Sequence, residues 1–170
     1  MMEIRLLDAD EARARIPELA LILHDCVVKG ASVGFMNPFS MAEAIGFYAE
    51  CAENAANGEA FLFAAFVNGR AVGTVQLIPS RKPNQPHRGD IIKMLVHSIH
   101  RNQGFGVALL KAAEDEARRR GLTLLTLDTA GVDGERFYER AGYSRAGVIP
   151  DFALWPDGGY CDTVIYYKKI

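Results

Sequence analysis

Apolar positions along the chain change period several times, and each change marks an element. Glu3 to Leu7 alternates as a short strand. Ile16, Leu19, Ala20, Leu23 and Val27 then recur at three and four residues, the spacing of one helix face. Asp8 or Asp10 is placed to cap that helix, Pro17 to split it into a leading turn and a main body, and Gly30 to end it. Ala31 to Pro38 has no period and reads as a loop. Ser40 caps a second helix running to Ala56, which Asn57-Gly58 closes.

Beyond it the period falls to that of strands. Ala60 to Val67 and Ala71 to Ile78 flank Asn68-Gly69, the pattern of a hairpin with a two-residue turn. Prolines interrupt the segment from Pro79 to Gly89, which reads as a loop. The apolar run from Asp90 to Val96 predicts a strand buried on both faces. From Phe105 to Arg120 the period is helical again, with Val107, Leu110, Ala113 and Ala117 expected on the buried face. A strand from Leu122 to Leu127, a short helix from Gly134 to Ala141, and strands at Tyr143 to Val148 and Cys161 to Lys168 complete the chain. The order β-α-α-β-β-β-α-β-α-β-β predicts an α/β fold, a mixed sheet covered by helices. Neither a repeat nor a linker divides residues 1–170, so one domain is expected.

Composition narrows what that domain does. The 170 residues carry a net charge of −2, with 49% hydrophobic and 24% charged residues, an ordinary balance for a globular protein. No overall field draws it to nucleic acid or an anionic membrane, and Arg118-Arg119-Arg120 complements a helix C-terminus. Cys26, Cys51 and Cys161 are odd in number and widely spaced, so neither a disulfide framework nor a zinc site is implied. The N-terminus lacks the apolar core of a signal peptide, and no apolar run reaches the roughly 20 residues of a membrane span. A cytoplasmic protein is the expectation. His24, His87, His97 and His100 form no ligand set with helical spacing, so no metal is assigned. His97 and His100 do lie beside the segment that carries the chemistry.

That segment is Arg101-Asn102-Gln103-Gly104-Phe105-Gly106, between a strand and a helix. Glycines there let the backbone approach a ligand, and the first helical N–H groups lack internal partners. With the helix dipole they favour phosphate or pyrophosphate, and Arg101 adds a charged donor. A P-loop needs Gly-Lys where Phe105 follows Gly104, and a dinucleotide fingerprint needs a third glycine where Leu109 stands. By itself the segment is equally a plain tight turn.

In context, Arg-x-x-Gly-x-Gly after a strand and before a long helix resembles the acetyl-CoA loop of the GNAT acetyltransferase superfamily, and the element order is similar across nearly the whole chain. The resemblance implies a mostly antiparallel sheet of about seven strands with a splayed parallel pair and flanking helices. It implies acetyl-CoA as co-substrate, held by the backbone of Leu95 and Val96 and by Arg101, Asn102, Gln103, Gly104, Phe105, Gly106 and Val107. It implies direct attack by a primary amine, which needs an acid near the sulfur and a base near the amine. Tyr138 matches the family's acid, protonated at neutral pH with an unperturbed pKa of about 10; its other reading is a helix anchor beside Phe137. Asp90 and Asp128 match positions of the base. Alternatively, Asp90 pairs with Arg88 and Asp128 bonds the turn from Thr129 to Gly131. Family members often pair, which makes a homodimer an expectation.

A narrower resemblance rests on Gly30-Ala31-Ser32-Val33-Gly34-Phe35-Met36, together with Lys82-Pro83-Asn84, Phe137-Tyr138 and Pro156-Asp157-Gly158. These are similar to the tabtoxin-resistance acetyltransferases, which act on a β-lactam amino-acid toxin. Departures are Asp90 for glutamate, and Asp151-Phe152 for glycine-tyrosine in a turn. The resemblance implies that Ser32, Phe35, Met36 and Phe152, with Trp155, wall the acceptor site. The expectation is therefore a small-molecule N-acetyltransferase. A protein or peptide N-acetyltransferase and a non-catalytic CoA-binding module are the competing readings.

Overall fold

The structure, a computed structural model, describes all residues from 1 to 170. Its elements follow the predicted order. Strand β1 (Met2–Leu6) leads into α1 (Ala9–Ala14) and α2 (Ile16–Val28). Asp8 caps α1 by accepting the Glu11 N–H, and Pro17 lies in the first turn of α2, where its missing N–H costs nothing. Helix α3 (Met41–Ala56) opens with a reciprocal capping box between Ser40 and Glu43. The hairpin of β2 (Phe61–Val67) and β3 (Arg70–Pro79) turns through Asn68 and Gly69, both at positive φ as a primed turn requires.

Strand β4 (Arg88–Val96) runs to a 3-10 turn at Ser98–His100 and then to α4 (Phe105–Arg119). Strand β5 (Leu124–Thr129), helix α5 (Val132–Arg140) and the hairpin β6 (Ser144–Leu154) and β7 (Tyr160–Lys169) follow. Together they make one seven-stranded sheet in the order β1-β2-β3-β4-β5-β7-β6, antiparallel except for β4 beside β5.

Alternation along the strands divides the core in two. Phe63, Val75, Leu77, Ile91, Leu125 and Tyr166 face α4 and α5, whose Leu109, Leu110, Ala113 and Tyr138 complete that layer. Leu62, Ala64, Phe66 and Leu95 face the opposite way, under Leu19, Leu23, Tyr48 and Ala52 of α2 and α3. Lys168 of β7 reaches Glu114 of α4 at 2.9 Å and the Ala141 carbonyl at 2.9 Å, joining the ends of α4, α5 and β7.

Three local expectations are corrected. Val107 is 62% exposed, because the buried stripe of α4 runs through Phe105, Leu109, Leu110, Ala113 and Ala117 instead. Strand β4 is not buried on both faces: Ile91 and Leu95 are, while Ile92 is partly exposed along an opening in the sheet. Strand β6 runs six residues past Val148, carried by a wide bulge in which Pro150, Asp151 and Phe152 oppose Asp162.

Candidate active site

The opening is made by the parallel pair. Arg88, Gly89 and Asp90 lie opposite Leu124, Leu125 and Thr126, and the pairing stops there. Two positions further along, β4 carries a bulge: Thr74 faces Leu95 and Gln76 faces Ile92, so Val75 alone opposes Lys93 and Met94. Lys93 takes φ +49 to make this possible. The extra residue bends β4 away from β5. Beyond Asp90 the edge of β4 toward β5 has no strand partner, and a cleft of about 1440 Å³ opens between them.

One end of the cleft is the glycine segment. Asn102 (φ +59) and Gly104 (φ +86) both take left-handed conformations, which turn the chain into α4 at Phe105, and the first residues of that helix, Phe105 to Val107, line the cleft. No side chain caps α4, so its first N–H groups are open to a ligand. Gly106 packs closely: a Cβ there would meet the Phe137 ring at 3.3 Å, tighter than most such contacts. Arg101 folds back, donating from Nε to the Val96 carbonyl at 3.2 Å and reaching the Cys26 sulfur at 3.5 Å. His100 lines the same wall, its ring edge-on to Phe105.

Further in stand Tyr138 and Asp128. Tyr138 is 7% exposed, packed among Phe137, Tyr143 and Tyr166. Burial, and then the Asp128 charge, push its phenol well above the usual range, so it holds its proton throughout physiological pH. Asp128, next to last in β5, has Oδ2 accepting from Thr163 Oγ1 at 2.9 Å; the turn amides expected to bond it do not. Lys93 reaches the cleft from the α2–α3 side, and burial lowers its pKa.

Asp90 stands apart. It accepts short hydrogen bonds from Arg88 and from the Thr126 hydroxyl, and it lines an adjoining groove of about 420 Å³ that shares Asp128, Phe152 and Thr163 with the cleft.

Two loops meet beside the cleft. Ser32 donates to the Leu154 carbonyl at 3.2 Å and lies 3.4 Å from the Cys161 sulfur. Asn37 donates its N–H to the Pro156 carbonyl at 2.9 Å and its Nδ2 to Asp157 at 2.8 Å. The segment after α2 and the β6–β7 turn are thus fastened together. The Pro150–Phe152 bulge turns Phe152 into both openings. Asp151 adopts φ +52, the conformation for which a glycine is the ordinary choice, and its N–H donates to Asp162.

The fold therefore assembles Ser32, Leu95, Val96, Arg101, Asn102, Gly104 to Val107, Asp128, Tyr138, Phe152 and Trp155 around one cleft. It leaves four expected residues outside it. Asp90 is in the neighbouring groove, and Gln103 turns to the Ile99 carbonyl at 3.2 Å. Phe35 stacks between Phe39 and Phe47, and Met36 is 44% exposed to solvent. Lys93 was not anticipated. Its signal is a lone charge inside Ile91-Ile92-Lys93-Met94-Leu95-Val96.

The sequence matches the acetyltransferase (GNAT) family over residues 32–143. A curated acetyltransferase of Agrobacterium fabrum is 41% identical over 56 residues, a stretch that covers 33% of this chain and 41% of that protein. An N-acetyltransferase of Staphylococcus aureus Mu50 shares the fold with a TM-score of 0.81 at 17% identity, over 99% of this chain and 98% of its own. The yncA structure from Salmonella typhimurium, solved with its cofactor acetyl-CoA, superposes with a TM-score of 0.79 at 19% identity, over 99% and 93%.

Proposed function

The chain belongs to the acetyltransferase (GNAT) family, and on that premise we propose that it transfers acetyl from acetyl-CoA to the primary amine of a small molecule, by direct attack in a ternary complex. The observation that carries this reading is the parting of β4 and β5 beyond Asp90, with the glycine segment at one end of the gap and Tyr138 and Asp128 inside it.

The site fits acetyl-CoA. The edge of β4 toward β5 has no strand partner at Leu95 and Val96, and an amide-bearing chain can pair there as an added strand would, sharing the Val96 carbonyl with Arg101 or displacing it. The uncapped amides from Phe105 to Val107, behind left-handed Asn102 and Gly104, suit a pyrophosphate. When bound there, acetyl-CoA supplies an acetyl group activated as a thioester.

Two side chains handle protons. Tyr138 Oη donates its proton to the departing sulfur, and its raised pKa keeps that proton in place beforehand. Asp128, with Oδ2 held by Thr163, attracts the acceptor's ammonium and takes up its proton through water. Asp90 is the weaker candidate for base, because Arg88 and Thr126 already occupy its carboxylate. No cysteine nucleophile enters the reaction.

A small acceptor is favoured over a peptide because the Ser32–Leu154 and Asn37–Pro156 bonds close the loops across the acceptor side. Amino-acid-like compounds, β-lactam toxins among them, fall within that class. The test is acetyl-CoA turnover, read as thiol release, against a panel of small amines, β-lactam amino acids and peptide N-termini. The expected result is turnover confined to small amines. Preference for peptides would select the protein-acetylating reading, and tight acetyl-CoA binding without any turnover would select the binding module.

A further inference from the structure

Half-buried lysines in folded proteins are ordinarily matched by an anion or a set of acceptors, because an unpaired charge loses hydration without return. Lys168 obeys this rule, with Glu114 and a carbonyl around its ammonium. Lys93 does not. It lines the cleft with neither an ion pair nor a hydrogen bond, and only Asp128 and the Cys51 thiol act on it electrostatically. The Phe35 and Phe47 rings lie 5.9 and 5.7 Å from its ammonium and wall it in without neutralising it.

The backbone has been shaped to put it there. Lys93 is the residue that takes the strained φ of +49 in the β4 bulge, and Gly34 stands against it, a Cβ on that glycine reaching to 3.7 Å of Nζ. Strain of this kind persists where the fold over-determines it, and it gathers at ligand sites. Asp162 of β7 also lines the cleft but accepts the Asp151 N–H; the two parted strands contribute Lys93 from β4 and Asp128 from β5, which form no ion pair with each other. An acceptor bridging them needs a cationic amine toward Asp128 and an anion close to that amine.

We propose that Lys93 is the counter-ion for a carboxylate of the acceptor, and that the acceptor is a free α-amino acid or a compound with that amine–carboxylate pair. This rests on the acetyltransfer reading and deepens it. A peptide N-terminus lacks the carboxylate and leaves the half-buried Lys93 without an anion. Lys93 thus discriminates substrates by what it would be left without.

The experiment compares L-phenylalanine, L-methionine, L-glutamine and L-lysine with their primary amides, at a pH where all the amines are protonated. Binding to the full-length protein is measured by calorimetry, and turnover with acetyl-CoA alongside. At least one acid should bind about tenfold or more tighter than its amide, the scale of a charge-assisted hydrogen bond. Lys93→Met, which fits the same space without charge, should erase that preference, and Lys93→Arg should restore most of it. Amides binding as well as acids, a preference surviving in Lys93→Met, or no binding by any acid each overturns the proposal. Acids that bind with the expected preference yet are not acetylated would instead remove the acetyltransfer reading and leave the anchor standing. Turnover of amines without regard to a carboxylate would do the reverse.

Discussion

A phenol buried beside a carboxylate is a poor place for negative charge, and Tyr138 is in that position. Its environment keeps the proton on the phenol beforehand, and in the proposed reaction the phenol donates it to the sulfur as negative charge develops there. Tyr138→Phe keeps the ring and its packing while deleting the proton. Turnover should fall about 100-fold, whereas acetyl-CoA affinity, read by calorimetry, stays within about twofold of the parent. Unchanged turnover would mean that the ring anchors α5 and nothing more. The motif made Tyr138 legible in the sequence. Lys93 was visible only as an oddity, since no periodicity announces that a bulge will deliver one charged residue into a cleft.

At the scale of elements, the turn after β4 must be held steady for the glycine segment to begin α4 correctly. Asp25 of α2 does this from the opposite layer, accepting the Ser98 N–H at 2.7 Å and the Ser98 hydroxyl at 2.9 Å, with Lys29 and His97 nearby. Burial raises its pKa, but these donors outweigh burial and leave it lowered. The folded value thus lies below the unfolded one. The stabilisation is present above the unfolded pKa of about 3.9 and is lost as pH falls through the folded value. Asp25→Ala should cost about 2 kcal/mol at neutral pH. The gap between variant and parent in chemical denaturation should narrow below roughly pH 4. A gap that stays constant into acid would show that the carboxylate charge plays no part. Nothing in the spacing of Asp25 and Ser98 foretells this contact, because the two lie 73 residues apart and only the tertiary fold brings them together.

For the whole molecule, the cleft is continuous from the glycine segment to the covered acceptor side, so occupancy by acetyl-CoA couples to global stability. A ligand at a hundred times its dissociation constant adds about 2.7 kcal/mol, roughly 5–11 °C in Tm for a chain of this size. That shift should appear with acetyl-CoA and not with acetate. Gly104→Val forces a β-branched residue into φ +86 and should abolish most of the shift. A normal shift in that variant would separate the segment from cofactor binding. The loop ties through Asn37 and Ser32 fasten the segment after α2 to the β6–β7 turn beside the same cleft, the arrangement on which the proposal of a small acceptor rests.

What the chain determined by itself was local. Period, caps and turn residues set the order of strands and helices, from the Ser40–Glu43 box to the Asn68-Gly69 turn, because these are decided within a few residues. The glycine segment and Tyr138 were likewise readable as a motif. Tertiary structure decided the rest. The separation of β4 from β5, the retreat of Asp90 behind Arg88 and Thr126, and the placing of Phe152 and Lys93 along the cleft all depend on bulges and pairings between distant strands. A one-residue change of register moves a side chain to the other face of a sheet, and the sequence around it does not record which way the partner strand will have gone.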